Sequence, residues 1–195
     1  MTIFYDPQAK QILTPLCRQC PDEQFAPADD TRPHVGCCSY SPTFTLLEIY
    51  KMIKAGQLDF FIQRIYHHPN RSLKEFEITI HAHVAPSFFK LDLAELSKEE
   101  YEEKKLGYSI CQFFNPGKGC TLPPAFKTST CRAFICLAVE ERLDKSRQQH
   151  LAAWSREIQQ EARHFNSIHI QVLKERGWNL REHLFQIIDY LEKLN

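Results

Sequence analysis

A chain of 195 residues, 43% of them hydrophobic, is long enough for one domain or one domain with an appendage, and its 24 Lys and Arg balance 24 Asp and Glu. A formal charge of zero excludes the strong cationic field of a general nucleic-acid binder, and no run of about 18 apolar residues is present to cross a membrane. The opening Met1-Thr2-Ile3-Phe4-Tyr5-Asp6-Pro7 reaches an acid and a proline before any apolar run and does not read as a signal peptide, so a soluble, cytoplasmic protein is expected. In that reducing compartment eight cysteines are poor material for disulfides and good material for a metal or redox centre.

Taken in chain order, the first forty residues read as irregular, because Pro7, Pro15, Pro21, Pro27 and Pro33 interrupt any helix or central strand. Ser41-Pro42 has the form of an N-cap with proline at the first helical position. Leu46, Ile49, Tyr50 and Ile53 then repeat at helical spacing up to Gly56. A second short helix is expected with Leu58, Phe61, Ile62 and Ile65 on one face, closed by His67-His68-Pro69-Asn70. From Phe76 to Val84 the period changes to two, the pattern of a half-buried strand. Ser97-Lys98-Glu99-Glu100 forms a capping box for a charged helix that ends near Gly107. Tyr108 to Phe114 reads as a further strand, and Asn115 to Lys127 as turn. Leu151, Trp154, Ile158, Ala162, Phe165, Ile168 and Val172 outline one long amphipathic helix that Gly177 can terminate. Asn179 and Glu182 start a last helix through Leu184, Ile187, Ile188, Leu191 and Leu194. The apolar stripe of this tail is expected to pack within the chain, with its outer surface left as a place for a protein partner.

The cysteines fall into two groups of four: Cys17 and Cys20 with Cys37 and Cys38, then Cys111, Cys120, Cys131 and Cys136. Each group lies in sequence rich in Pro and Gly, where backbone can turn sharply enough to wrap a metal, while the long helices contain no cysteine. Gly36 and Gly119 leave room for amide N–H groups to approach the neighbouring sulfurs and stabilise thiolate charge. A thioredoxin-type redox reading of Cys17-Arg18-Gln19-Cys20 requires a following helix, which Pro21 opposes. Metal or cluster ligation is therefore the expected role of all eight.

The segment from Cys111 through Gly119-Cys120 to Cys131-Arg132-Ala133-Phe134-Ile135-Cys136, with Gly36-Cys37-Cys38 upstream, resembles the zinc- or iron-chelating cysteine-cluster family written CxxCxxCC. In that family an upstream C-x-x-C and a Cys-Cys pair precede C-x-F-L, G-x-C and C-R-x-F. The resemblance runs from Cys17 to Cys136, about six-tenths of the chain. It implies a bound zinc or iron centre and no defined reaction. The chain departs from the pattern in two places. Sixteen residues separate Cys20 from Cys37 where the family packs its cysteines tightly, and Phe126-Lys127-Thr128-Ser129-Thr130 stands where the family has Arg-Pro. A similar cysteine pattern in flagellin lysine methylases adds iron–sulfur-dependent methyl transfer as an alternative.

His81 and His83 share one face of the expected strand and read as a solvent-facing edge, whereas His34 is a supplementary ligand candidate beside Cys37. Arg132 is placed either to serve a thiolate or carboxylate or to form a buried ion pair. No G-x-S-x-G, Walker loop, dinucleotide fingerprint or H-E-x-x-H is present. The expectation is an α+β, mostly helical fold: cysteine-rich loops around a metal centre, a short strand pair and a C-terminal helical hairpin. Residues 1–140 would form the cysteine-cluster domain and residues 141–195 a helical extension packed on it. The expected function is chelation of zinc or an iron–sulfur cluster without nucleic-acid or membrane partners. The alternatives are a transferase or redox enzyme using that centre, and an interaction module with a structural zinc. Because the Pro-rich loops have little apolar area, they are expected to depend on the metal for order more than the tail does.

Overall fold

A computed structural model of the chain describes residues 3–16, 25–29 and 32–194. Its elements make an α+β, mostly helical fold with four small antiparallel sheets. The N-terminal segment, expected to be irregular, carries a hairpin of β1 (Phe4–Asp6) and β2 (Gln11–Leu13) in the register Phe4↔Leu13, Tyr5↔Ile12 and Asp6↔Gln11. Pro7 is accommodated because it falls in the turn. There the Asp6 carboxylate accepts from the N–H groups of Gln8 at 2.9 Å and Ala9 at 3.1 Å.

Ser41-Pro42 does not start a helix. Residues Thr43–Thr45 form strand β3, and α1 (Leu46–Lys54) follows. Glu48 explains the displacement: its Oε2 accepts from the Thr45 N–H at 3.0 Å and the Thr45 hydroxyl at 2.5 Å, closing a capping box at Thr45 instead of Ser41. The Ser41 hydroxyl is used elsewhere, accepting from Ala82 N–H at 2.9 Å. After Gly56 the chain makes α2 (Leu58–Phe60), which widens into a π turn over Phe61–Tyr66.

The expected strand from 76 to 84 is broken in two. β5 (Glu77–Ile80) lies between β3 and β4 (Arg71–Leu73), whereas β6 (His83–Val84) pairs with β7 (Ser109–Ile110). His81, at the break, donates its N–H to Asn70 O and so turns the chain from one sheet to the next. Helix α3 (Lys98–Leu106) begins at the expected Ser97/Glu100 capping box. The expected strand from 108 to 114 also divides, at Cys111. Beyond it β8 (Phe114–Asn115) forms a hairpin with β9 (Gly119–Cys120).

Two short helices, α4 (Ser129–Ala133) and α5 (Leu137–Glu140), lead to α6 (Lys145–Glu175), 31 residues long and capped by Asp144. Gly177 ends it at φ +68, and Trp178 N–H returns to Leu173 O at 2.9 Å. Helix α7 (Leu184–Glu192) follows an Asn179 side chain that accepts from the N–H groups of Arg181 and Glu182. No helix among the described residues is long and apolar enough to cross a membrane.

The main core joins both ends of the chain. Phe44, Leu46, Ile49, Met52, Phe61 and Ile78 pack in one cluster with Leu173, Leu180, Ile187 and Leu191. The same cluster takes in Phe113, Leu122 and Phe126 from the cysteine-bearing segment. A second cluster sets the N-terminal hairpin (Ile3, Ile12) and Ala133 against Leu143, Leu151 and Ile158. The tail's apolar stripe is thus largely used within the chain, while Ile168 and Phe185 remain exposed.

Candidate metal centre

Cys37 and Cys38 lie in a 3-10 turn, Gly36–Ser39, that opens with Gly36 at φ +56, a conformation costly for any residue with a Cβ. This turn meets β7: the N–H of Cys111 donates to Cys38 O at 2.6 Å, joining the two halves of the sequence pattern through main chain. Phe114 N–H donates back to Cys111 O at 3.0 Å, turning the chain into the β8–β9 hairpin that carries Cys120 opposite Phe114. Thr128 caps α4 by accepting the Cys131 N–H at 3.2 Å.

Four thiols from these segments, Cys38, Cys111, Cys120 and Cys131, act on one another through charge. Burial is the main reason that Cys111 is pushed up to about 12. The Phe113 N–H opposes that rise, and nearby Cys38, Cys120 and Cys131 add to it. Burial likewise raises Cys120 and Cys131. The Leu122 N–H opposes the shift at Cys120, as does a Thr128 hydrogen bond at Cys131. Cys38 moves the other way, down to about 7. A hydrogen bond from Cys37 is the largest cause and outweighs burial, and the Lys127 ammonium helps. Lys127 also pulls Cys120 and Cys131 downward.

Cys136 is buried beside Phe25 and Val139, and Cys37 packs partly against that same cluster. Cys17 and Cys20 lie outside the described residues. Cys38, Cys111, Cys120 and Cys131 are in the free thiol form. As the side chains stand, no group of three or more His, Cys, Asp or Glu among the described residues could hold a metal ion. Ligation by the four thiols therefore requires side-chain rotation toward a common point. In chemistry the donor set suits a soft cation, and Cys111 and Cys120 each receive a main-chain N–H from two residues ahead.

His34 and His83 are exposed, and His81 shares a 2.6 Å hydrogen bond with the Ser72 hydroxyl. Arg132 is a buried structural group. Its guanidinium has no exposed surface, donates to Lys127 O, Ala9 O and Lys10 O, and lies 3.6 Å from Glu161.

Three features of the site escaped the sequence. Lys127 stood in a segment read only as turn, although a cation between cysteines is a legible signal. Phe113, Leu122 and Phe126 are the apolar anchors of that segment and were legible as large side chains among turn residues. Glu48, fully buried, accepts from Ser129 N–H at 2.9 Å and fixes the start of α4. No local pattern announces that contact. A scan against family models finds no match, and neither the curated proteins nor the solved structures yield one.

Proposed function

We propose that the chain is a cytoplasmic metal-binding protein that chelates zinc or an iron–sulfur centre through Cys38, Cys111, Cys120 and Cys131. The single observation that carries this reading is the 2.6 Å hydrogen bond from Cys111 N–H to Cys38 O, which joins the two cysteine groups of the sequence, with Cys120 and Cys131 near enough to act on Cys111 through charge. Main-chain N–H groups at Cys111 and Cys120 would stabilise thiolate charge. The resemblance to the cysteine-cluster family supports the same reading.

Cobalt(II) titration of the metal-free protein tests it. Thiolate ligation gives charge-transfer absorption and intense tetrahedral visible bands, which Cys111→Ser and Cys120→Ser diminish and Cys136→Ser leaves intact. An iron–sulfur centre would instead make anaerobically purified protein brown.

A second reading has one observation in its favour. Cys38, brought down to about 7, supplies thiolate at neutral pH, as a transferase or redox enzyme needs. Alkylation by iodoacetamide distinguishes the two. If Cys38 is a reactive enzyme thiol, iodoacetamide modifies it much faster than Cys120 in metal-replete protein, whereas as a ligand it is protected.

A further inference from the structure

A cleft of about 570 Å³, lined by none of the cysteines, opens between the β4–β5 turn and the C-terminal half of α6. That volume is in the range of small-molecule sites and has room for two amino-acid residues. Its walls are tied in place. Leu180 N–H donates to Glu75 O at 2.7 Å and Arg181 Nε to Leu73 O at 3.0 Å, which stitches the turn after α6 to the turn between β4 and β5. On the α6 side, Asn166 accepts from Leu47 N–H at 3.1 Å and donates to the Thr45 hydroxyl at 2.9 Å. Phe76 and Ile170, both half-buried against the main core, supply the apolar surface.

Four charged side chains line the cleft. Lys74 and Glu77 neutralise each other at 2.7 Å. Arg181 and Glu75 are left over. Both are exposed, and neither the terminal guanidinium nitrogens nor the Glu75 carboxylate has a partner among the described residues. A phosphate-like dianion would have to lie beside Glu75 and Glu77, and a dication beside Lys74 and Arg181. A wholly apolar ligand would strip water from both unpaired charges without replacing it. One spare cation and one spare anion beside apolar surface match a ligand that carries the same two charges on an apolar body.

We propose that this cleft binds a small apolar zwitterion of the dipeptide class. The terminal nitrogens of Arg181 receive its carboxylate as a bidentate pair, and Glu75 receives its ammonium group. Because Nε is already held by Leu73 O, the plane of the guanidinium fork is set before the ligand arrives. The ligand's side chains rest on Phe76 and Ile170. The site uses no thiol and is independent of the metal reading.

The test uses the full chain with leucyl-leucine as the probe, followed through the amide resonances of the protein. Shifts should centre on residues 74–77, 166–170 and 181, with a Kd of about 1 mM or tighter. Amidation of the probe's carboxylate, or acetylation of its amine, should weaken binding about tenfold. These blocked probes act on the wild-type protein and depend on no variant folding. Arg181→Ala should weaken the free dipeptide about tenfold and abolish its advantage over the amide, Arg181→Lys should restore part of that loss, and Glu75→Gln should abolish the advantage over the acetylated form. Absence of shifts at about 10 mM probe would overturn the proposal. So would equal binding of free and blocked dipeptides, or an Arg181→Ala protein that keeps its native spectrum and binds as wild type does.

Discussion

Arg132 holds a permanent charge with no exposed surface, and one guanidinium nitrogen, Nη2, has no hydrogen-bond partner among the described residues. Such a charge persists only when an anion and carbonyls surround it. Glu161 supplies the anion, facing Lys10 and Lys51 at 3.1 Å each as well as Arg132. Burial pushes the Glu161 carboxyl upward, yet Lys51 and Lys10 prevail and hold it below the ordinary carboxylate range. Because the folded value is the lower one, this contribution is present above the unfolded value of about 4.3 and is lost as pH falls through the folded value. Glu161→Gln should therefore cost about 1–3 kcal/mol at pH 7 by urea denaturation, and the gap to wild type should shrink in acid. The thiols give a second prediction. At pH 7 Cys111, Cys120 and Cys131 hold their protons while Cys38 is partly ionised, so binding one zinc by all four should release between three and four protons. Calorimetry in buffers of different ionisation enthalpy reads that number. The sequence offered Cys37 and Cys38 alike as ligands; the difference between them comes from packing that only the folded chain defines.

At the scale of elements, local signals were legible and long-range ones were not. Ser97 and Glu100 satisfy each other within one turn, so α3 follows from four consecutive residues. Thr45 and Glu48 have the same spacing, but Ser41-Pro42 offered an earlier start. What decided between them is the pairing of Thr43, Phe44 and Thr45 with Thr79, Ile78 and Glu77. The run from 76 to 84 reads as one strand because alternation is a property of the strand alone. Its division depends on two different partners, β3 with β4 and then β7, that periodicity does not encode. Glu48 connects these scales, because one carboxylate closes the cap of α1 and anchors α4. Glu48→Ala should cost about 1–3 kcal/mol, since it leaves the half-buried N–H donors of Thr45 and Ser129 unpaired, and should speed hydrogen exchange near Cys131. Ser97→Ala, at an exposed cap, should cost about 1 kcal/mol and leave metal uptake unchanged.

For the whole molecule, the sequence made the helical tail legible, and Gly177 and Asn179 marked its turn. It did not reveal how deeply the tail enters the core around the cysteine segment, because helical periodicity identifies an apolar face without naming what covers it. Leu173, Leu180, Ile187 and Leu191 are fully buried in the cluster that holds Phe44 and Ile49. At about 1.5–3 kcal/mol each, these four side chains contribute roughly 6–12 kcal/mol. That is comparable with the entire net stability of about 5–15 kcal/mol expected of a domain. Residues 1–140 alone should consequently lack cooperative unfolding in circular dichroism, and adding metal should not restore it. The Pro-rich composition pointed to metal-dependent loops; Phe113, Leu122 and Phe126 supply another source of order for the downstream group. The central claim remains that one centre is built from Cys38, Cys111, Cys120 and Cys131. Elemental analysis of the anaerobically purified full chain tests it most directly, comparing wild type with Cys111→Ser and Cys136→Ser. Stoichiometric zinc or iron in wild type and Cys136→Ser, lost in Cys111→Ser, is the predicted result; wild-type protein without metal, or metal retained undiminished in Cys111→Ser, would contradict it.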